Sequence, residues 1–202
     1  PVSEETTEET LEEEQEEVEV SEETRAYTYN NEVTLTIETA GTLTELLGDS
    51  LTTADKLVLT GPLDANDVST FLYDMPALLS LDLSESTFVE NSLTFTSRHG
   101  HKLSLKENQI VPYMFSHTTI KEIILPKTIT TIADHAFYHG YADSEFLEKV
   151  TLQEGVTSIG QYAFAETRVR SVDFKDDSNL KTIGYSAFIR CKSLKEFIMP
   201  NT

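Results

Sequence analysis

The chain carries a single cysteine in 202 residues. Cys191 alone excludes an intramolecular disulfide framework, and with it the small secreted scaffolds that depend on one. It reads as a small, half-buried hydrophobe. Basic side chains are scarce as well: 15 Lys and Arg stand against 35 Asp and Glu, a net charge of −20. No basic stripe exists to follow a phosphate backbone, so nucleic acid is excluded as a partner. No apolar run approaches the roughly 20 residues of a membrane-spanning helix. There is no initiator Met at Pro1. The start of the natural chain is therefore expected to have been removed, and any signal peptide or N-terminal membrane anchor would lie outside this chain. Catalytic signatures are missing too. There is no G-x-S-x-G, no Ser or Cys set beside a His in a recognisable arrangement, and "LLGDS" and "LTGPLD" hold single glycines rather than a phosphate-cradling loop. Carboxylate pairs occur in any acidic chain and carry no weight for glycosidase chemistry. The expectation is a non-enzymatic protein that needs no cofactor.

What is present begins with an acidic segment. Residues 1–24 hold 12 Glu and no Lys or Arg, and the other 178 residues carry 23 acidic and 15 basic side chains. Self-repelling and poor in apolar surface, this stretch is expected to be a solvated tail or linker.

A period then emerges. "IVPYMF" (Ile110–Phe115), "IADHAF" (Ile132–Phe137), "IGQYAF" (Ile159–Phe164) and "IGYSAF" (Ile183–Phe188) each place Ile five residues before Phe, with the Phe residues 22, 27 and 24 apart. Each is followed by an apolar-x-x-apolar-x-apolar run: "IKEIIL" (Ile120–Leu125), "LEKVTL" (Leu147–Leu152), "VRSVDF" (Val169–Phe174) and "LKEFIM" (Leu194–Met199). "LLSLDL" (Leu78–Leu83) repeats the run upstream and "KLVLTG" (Lys56–Gly61) shortens it. The last two apolar positions are two apart and share one face of an extended strand. Gly160 and Gly184 are replaced by Val111 and Ala133 in the first two repeats, which argues against a strict left-handed requirement at that position.

These two signatures resemble the leucine-rich repeat, and the Ile-Gly-x-x-Ala-Phe form resembles its BspA-like subfamily over residues 56–202. The resemblance implies an α/β solenoid, with short parallel strands on one wall and short helices or 3₁₀ turns on the other. Phe115, Phe137, Phe164 and Phe188 then form a core column. One repeat cannot bury its own apolar face, so an array needs caps. Residues 25–55 are expected to form the N-terminal cap, from the alternating strand "NEVTLTIETAG" and a short helix in "GTLTELLGD"; "DANDVSTFLYDM" after the first repeat strand contributes to the same cover. The solenoid is expected over 56–202, with a β-hairpin inserted at about 84–107, its arms Leu93/Phe95 and Leu103/Leu105 around "RHGH". A loop at Tyr138–Glu145 enlarges the second Phe repeat. At the other end "MPNT" follows a repeat strand with no polar cap, so further chain is expected beyond Thr202.

Candidate binding residues lie at the variable positions. The outward strand columns read Glu122, Lys149, Ser171, Glu196 and Lys121, Glu148, Arg170, Lys195, a pattern of mild cross-strand charge pairs. A third column, Ile124, Thr151, Asp173 and Ile198, is a candidate partner surface, as are Tyr138 and Tyr141 in the enlarged loop. Tyr113, Tyr162 and Tyr185 lie near the Phe turns, suited either to recognition or to packing over repeat edges. His135 and His139 have the i, i+4 spacing of zinc ligands, but Phe137 between them must face the core, which favours ordinary polar surface residues. His99 and His101 flank Gly100 at the hairpin tip, and "KDDSNL" (Lys175–Leu180) has calcium-type oxygens without the loop spacing. By resemblance, the protein is a monomeric, exported bacterial cell-surface protein binding host or bacterial macromolecules, as in adhesion. An accessory glycan- or nutrient-capture lipoprotein, with an aromatic platform near Phe95 and Tyr113, is the rival reading, and a structural spacer of a longer surface protein is the third.

Overall fold

The computed structural model describes residues 27–140, 147–174 and 179–195. The acidic segment 1–24, most of the 138–145 loop and Lys175–Ser178 therefore lie outside the described residues. In chain order the strands are β1 (Glu32–Thr36), β2 (Lys56–Leu63), β3 (Ser80–Phe88), β4 (Phe95–Thr96), β5 (Lys102–Leu103), β6 (Gln109–Ile110), β7 (Glu122–Ile124), β8 (Thr131–Ile132), β9 (Lys149–Leu152), β10 (Ser158–Ile159), β11 (Ser171–Phe174) and β12 (Thr182–Ile183). Two short helices, α1 (Leu43–Leu47) and α2 (Ala65–Ser69), precede the regular repeats.

Three sheets result. β1-β2-β3-β7-β9-β11 form one six-stranded sheet, every pair parallel. The two-residue strands β6-β8-β10-β12 form a second parallel sheet, and β4 pairs with β5 as the antiparallel inserted hairpin. This is the α/β repeat solenoid that the family resemblance implies. Leu57, Leu81, Ile123, Val150 and Val172 are register partners across the large sheet, and all are buried. The alternation read in each strand run thus becomes one continuous apolar wall.

The hairpin is shorter than the sequence pattern predicts, because β3 does not stop at Ser84. A bulge after Val58 shifts the register, and the strand continues to pair Thr60–Leu63 with Glu85–Phe88. Leu63 and Phe88 are buried by this extension, and the Ser86 hydroxyl donates to the Leu59 carbonyl at 2.8 Å. Of the predicted arms, Phe95 and Leu105 are buried while Leu93 is exposed.

The Phe turns are not helices. Residues 112–117, 134–137, 161–166 and 185–190 are open turns with a two-residue hydrogen-bond period. In the third repeat, the amides of Ala165 and Thr167 bond back three residues to Tyr162 and Phe164, while those of Tyr162, Phe164 and Glu166 cross to the carbonyls of Tyr185, Ala187 and Ile189 of the next repeat. The same crossing joins His135, Phe137 and His139 to Gln161, Ala163 and Ala165. Left-handed residues flank each turn, two before and two after the Phe: Tyr113 and His117, Tyr162 and Glu166, Ser186 and Arg190, with His135 in the second repeat. They hold the turn flat so that its amides face the next repeat instead of closing into a helix. The left-handed burden thus falls outside the glycines, as their replacement by Val111 and Ala133 suggested. Gly160 and Gly184 serve close approach instead: a Cβ on Gly160 would meet Ala133 and Asp134 at 2.4–2.7 Å, and one on Gly184 would meet Gly160 and Gln161 at 2.5 Å.

Inside the turns the Phe rings stack nearly parallel. Successive centroids from Phe115 through Phe137 and Phe164 to Phe188 are 5.2, 4.8 and 5.1 Å apart. Phe71, in the cap, heads the column at 6.3 Å from Phe115.

The N-terminal end is closed by a buried carboxylate. Asp64 and Asp67 form a reciprocal capping box at the start of α2. Asp67 also accepts from the amides of Gly41 and Leu43 at 2.6 and 2.9 Å, tying the entry of α1 to α2. Ahead of β1, residues Tyr27–Asn31 run across the strand wall as a strap. Tyr29 donates to Glu122 at 2.7 Å, Tyr27 donates to Glu148, and the Asn30 and Asn31 amides donate to Asp55. Lys56 and Lys121 lie over the Tyr29 and Tyr27 rings at 5.7 and 4.5 Å. Burial and the Glu122 carboxylate push the Tyr29 phenol well above its ordinary value, so it stays a donor.

Two outcomes follow in unfolding measurements. Phe164→Ala, which empties the middle of the ring column, is expected to cost about 3–5 kcal/mol in urea titration. Removing residues 1–24 is expected to leave the melting temperature nearly unchanged, whereas Tyr27→Ala combined with Tyr29→Ala lowers it, the unfolding free energy falling by roughly 1 kcal/mol for each hydrogen bond lost.

Candidate functional site

The strand wall and the turn wall offer different surfaces. On the strand wall the predicted columns are in register: Glu122 faces Lys149, which faces Ser171, and Ile124 faces Thr151, which faces Asp173. Charge pairs form across strands, Lys149 with Asp173 at 3.0 Å and Arg170 with Glu148 at 3.2 Å. Ile124 and Asp173 are half-buried and Thr151 is buried at 8 % exposure, so this column presents little free area. The strap lies on the neighbouring Glu122 and Lys121/Glu148 positions. Ile198 and Tyr141 lie outside the described residues.

The turn wall is where side chains gather. A left-handed residue two before each Phe projects its side chain outward, and these positions hold Tyr113, His135 and Tyr162. Their rings stack along the solenoid: Tyr113 to His135 at 4.9 Å and His135 to Tyr162 at 5.2 Å, both within 24° of parallel. Tyr185 then meets Tyr162 edge-on at 5.9 Å. Two residues after each Phe runs a second row, His117, His139, Glu166 and Arg190. His117 and His139 are 5.1 Å apart, and Glu166 binds Arg190 at 2.8 Å.

The inserted hairpin joins both rows. Arg98 anchors it, donating to the Leu72 carbonyl at 2.8 Å and lying over the Tyr73 ring. Its tip sets His101 on Tyr113 at 4.1 Å, and His99 on Tyr113 and His117 at 5.5 and 4.8 Å. Tyr138 stands at about right angles to His99, His117 and His135, 5.7–6.3 Å away. All five histidines of the chain thus share one face with tyrosines from three repeats.

Between the rows lies an open groove of about 480 Å³. Its floor is the position one after each Phe. Tyr138 fills that position in the second repeat, Ala165 leaves it open in the third, and Ile189 bounds it in the fourth. Tyr113, His135 and Tyr162 line one side, with Glu166 and Arg190 on the other.

The i, i+4 pair is split across this site. His135 belongs to the first row and His139 to the second, and His139 is buried rather than on the surface. Among the described residues no three His, Cys, Asp or Glu side chains are grouped to hold a metal ion. His99 Nδ1 and His117 Nδ1 are 3.3 Å apart, a hydrogen bond between two stacked rings in which either nitrogen can be the donor. The inward Phe137 separates the two histidines as expected, and only the burial of His139 departs from the expected polar surface; the ring neighbours of each lie one repeat away. The visible signal is Tyr or His recurring two before and two after the Phe. Cys191 meets its expectation: it is half-buried, its thiol donates to the Phe164 carbonyl at 3.0 Å, and burial raises its pKa.

The face is built for neutral rings. Burial holds His117, His135 and His139 below the ordinary imidazole range; nearby histidines add to this, while Asp134 partly opposes it at His135. The unfolded chain binds protons more readily than these folded sites do. Their stabilising contribution is therefore full above about pH 6.5 and is lost as the pH falls toward the lowered folded values. The melting temperature is expected to drop between about pH 7.5 and 5, with a shallower drop in His117→Asn, whose side chain suits the left-handed backbone.

A family model described as the BspA-type leucine-rich repeat region matches in six copies, over residues 69–142 and 108–202. No curated protein matches the chain. The match spans β3 to β12, the Phe column and the turn wall, and begins at Ser69, the last residue of α2, two residues before Phe71. This chain belongs to the BspA-type leucine-rich repeat family.

Proposed function

We propose that this protein is a non-enzymatic adhesion protein of the bacterial cell surface, exported and holding a host or bacterial macromolecule through its turn wall. Family membership supports the coarser part, since BspA-type repeats build binding scaffolds of bacterial surface or secreted proteins. Among the described residues no helix is long and apolar enough to cross a membrane.

The observation that carries the choice of wall is Ser186. It occupies the same left-handed position as Tyr113, His135 and Tyr162, so the scaffold accepts a small side chain there. The rings at the other three positions are therefore not demanded by the turn. Tyrosine on a rigid surface gives contact area at low entropy cost, and tyrosine and arginine are both enriched where binding energy concentrates. The strand wall, by contrast, spends its polar groups on cross-strand pairs and the strap.

An unbiased screen of the full chain against immobilised host matrix proteins and glycans tests this reading. The partner captured is expected to bind Tyr162→Ser at least tenfold more weakly, with Ile124→Ser unaffected. The reverse pattern moves the site to the strand wall. Hydrolysis of the partner that a point substitution abolishes without unfolding would overturn the non-enzymatic reading.

A further inference from the structure

We infer that the groove on the turn wall binds a neutral glycan chain; this rests on the turn wall being the binding face. The first argument is which part of the rings is offered. The rings of Tyr113, His135 and Tyr162 spend their faces on one another, with centroids about 5 Å apart, which leaves their edges to a ligand: two phenols and an imidazole, one per repeat. Such a ladder is a row of mixed donors and acceptors on rigid supports. It differs from the contiguous apolar patch that a hydrophobic protein hot spot requires.

The second argument is shape. Ala165 opens the floor between the rows, and Tyr138 closes one end with a ring set across the others. A pyranose has an apolar C–H face and a rim of hydroxyls. The Ala165 and Ile189 floor suits the face, Tyr138 bounds it at one end, and Glu166 and Arg190 suit the rim. The groove continues along three repeats, so its natural occupant is a chain of sugars in which weak contacts add.

The third argument is charge. Glu166 is paired with Arg190 at 2.8 Å, and among the described residues these are the carboxylate and the guanidinium that line the groove. The body around it is net negative. Acidic polysaccharides are repelled by that field, and a cationic ligand finds its carboxylate already matched. A neutral, hydroxyl-rich ligand is what remains.

The test uses the full chain in isothermal titration and saturation-transfer NMR. Probes are oligomers of β-1,4-linked glucose, N-acetylglucosamine and mannose, α-linked glucans and β-linked galactans, with a polyuronate and a sulfated oligosaccharide as acidic controls. At least one neutral oligomer is expected to bind saturably and more tightly than its monosaccharide. Tyr138→Ala and Glu166→Gln should each weaken it tenfold or more, and Glu166→Gln should keep the wild-type melting temperature. The inference is overturned if no neutral oligomer binds, if the acidic controls bind better, or if both variants bind like wild type. Should Tyr162→Ser abolish capture of a protein partner that no sugar competes for, the glycan inference falls while the turn wall stands. If Tyr162→Ser leaves capture of every partner unchanged, both fall.

Discussion

Repeats in this protein are joined on the turn wall by amides that cross from one turn to the next at every second residue. An amide can cross only if it is not used inside its own turn, so the turn must stay flat. Left-handed residues keep it so, before every Phe and also after three of the four, at non-glycine positions that cost about 1–2 kcal/mol apiece. The crossing bonds and the buried Phe stack offset that cost. The spacing of the Phe rings, the need for glycine where backbones touch, and the alignment of the outer rows all follow from the same crossing.

The large sheet works differently. Its strands have ordinary parallel ladders and a buried apolar register, and its outer positions neutralise one another across strands. Between these walls the cap supplies what a bare repeat end lacks. Buried Asp67 collects amides from α1 and α2 at once, and the tyrosine strap fastens the start of the chain to strands more than 90 residues away. The two devices rely on carboxylate acceptors, where the repeats are joined mainly through their backbone.

Much of the fold was legible because burial repeats. Ile and Phe at fixed separation name the core, and Leu-x-Leu endings name the strands. The turn conformation was not legible: Tyr113, His135, Tyr162 and Ser186 share a backbone state that no residue preference announces, since none is glycine. The strap was hidden because Tyr27 and Tyr29 find acids at Glu148 and Glu122, far along the chain. The candidate site was half visible. Its tyrosines were noticed, but the histidines were paired by sequence distance, and the hairpin that bridges both rows carries no period. Phe71 escaped because the segment before it lacks the Ile of the later motifs.

Because every amide that crosses between the Phe turns points toward the following repeat, the turn wall has a direction. Its N-terminal side presents carbonyls, and its C-terminal side presents N–H groups. At the turns no single capping device serves both ends, and a lid built for one would meet like groups on the other. Turn walls joined end to end through these groups would have to meet head to tail, a heterologous contact that continues into a fibre unless its rotation closes a ring.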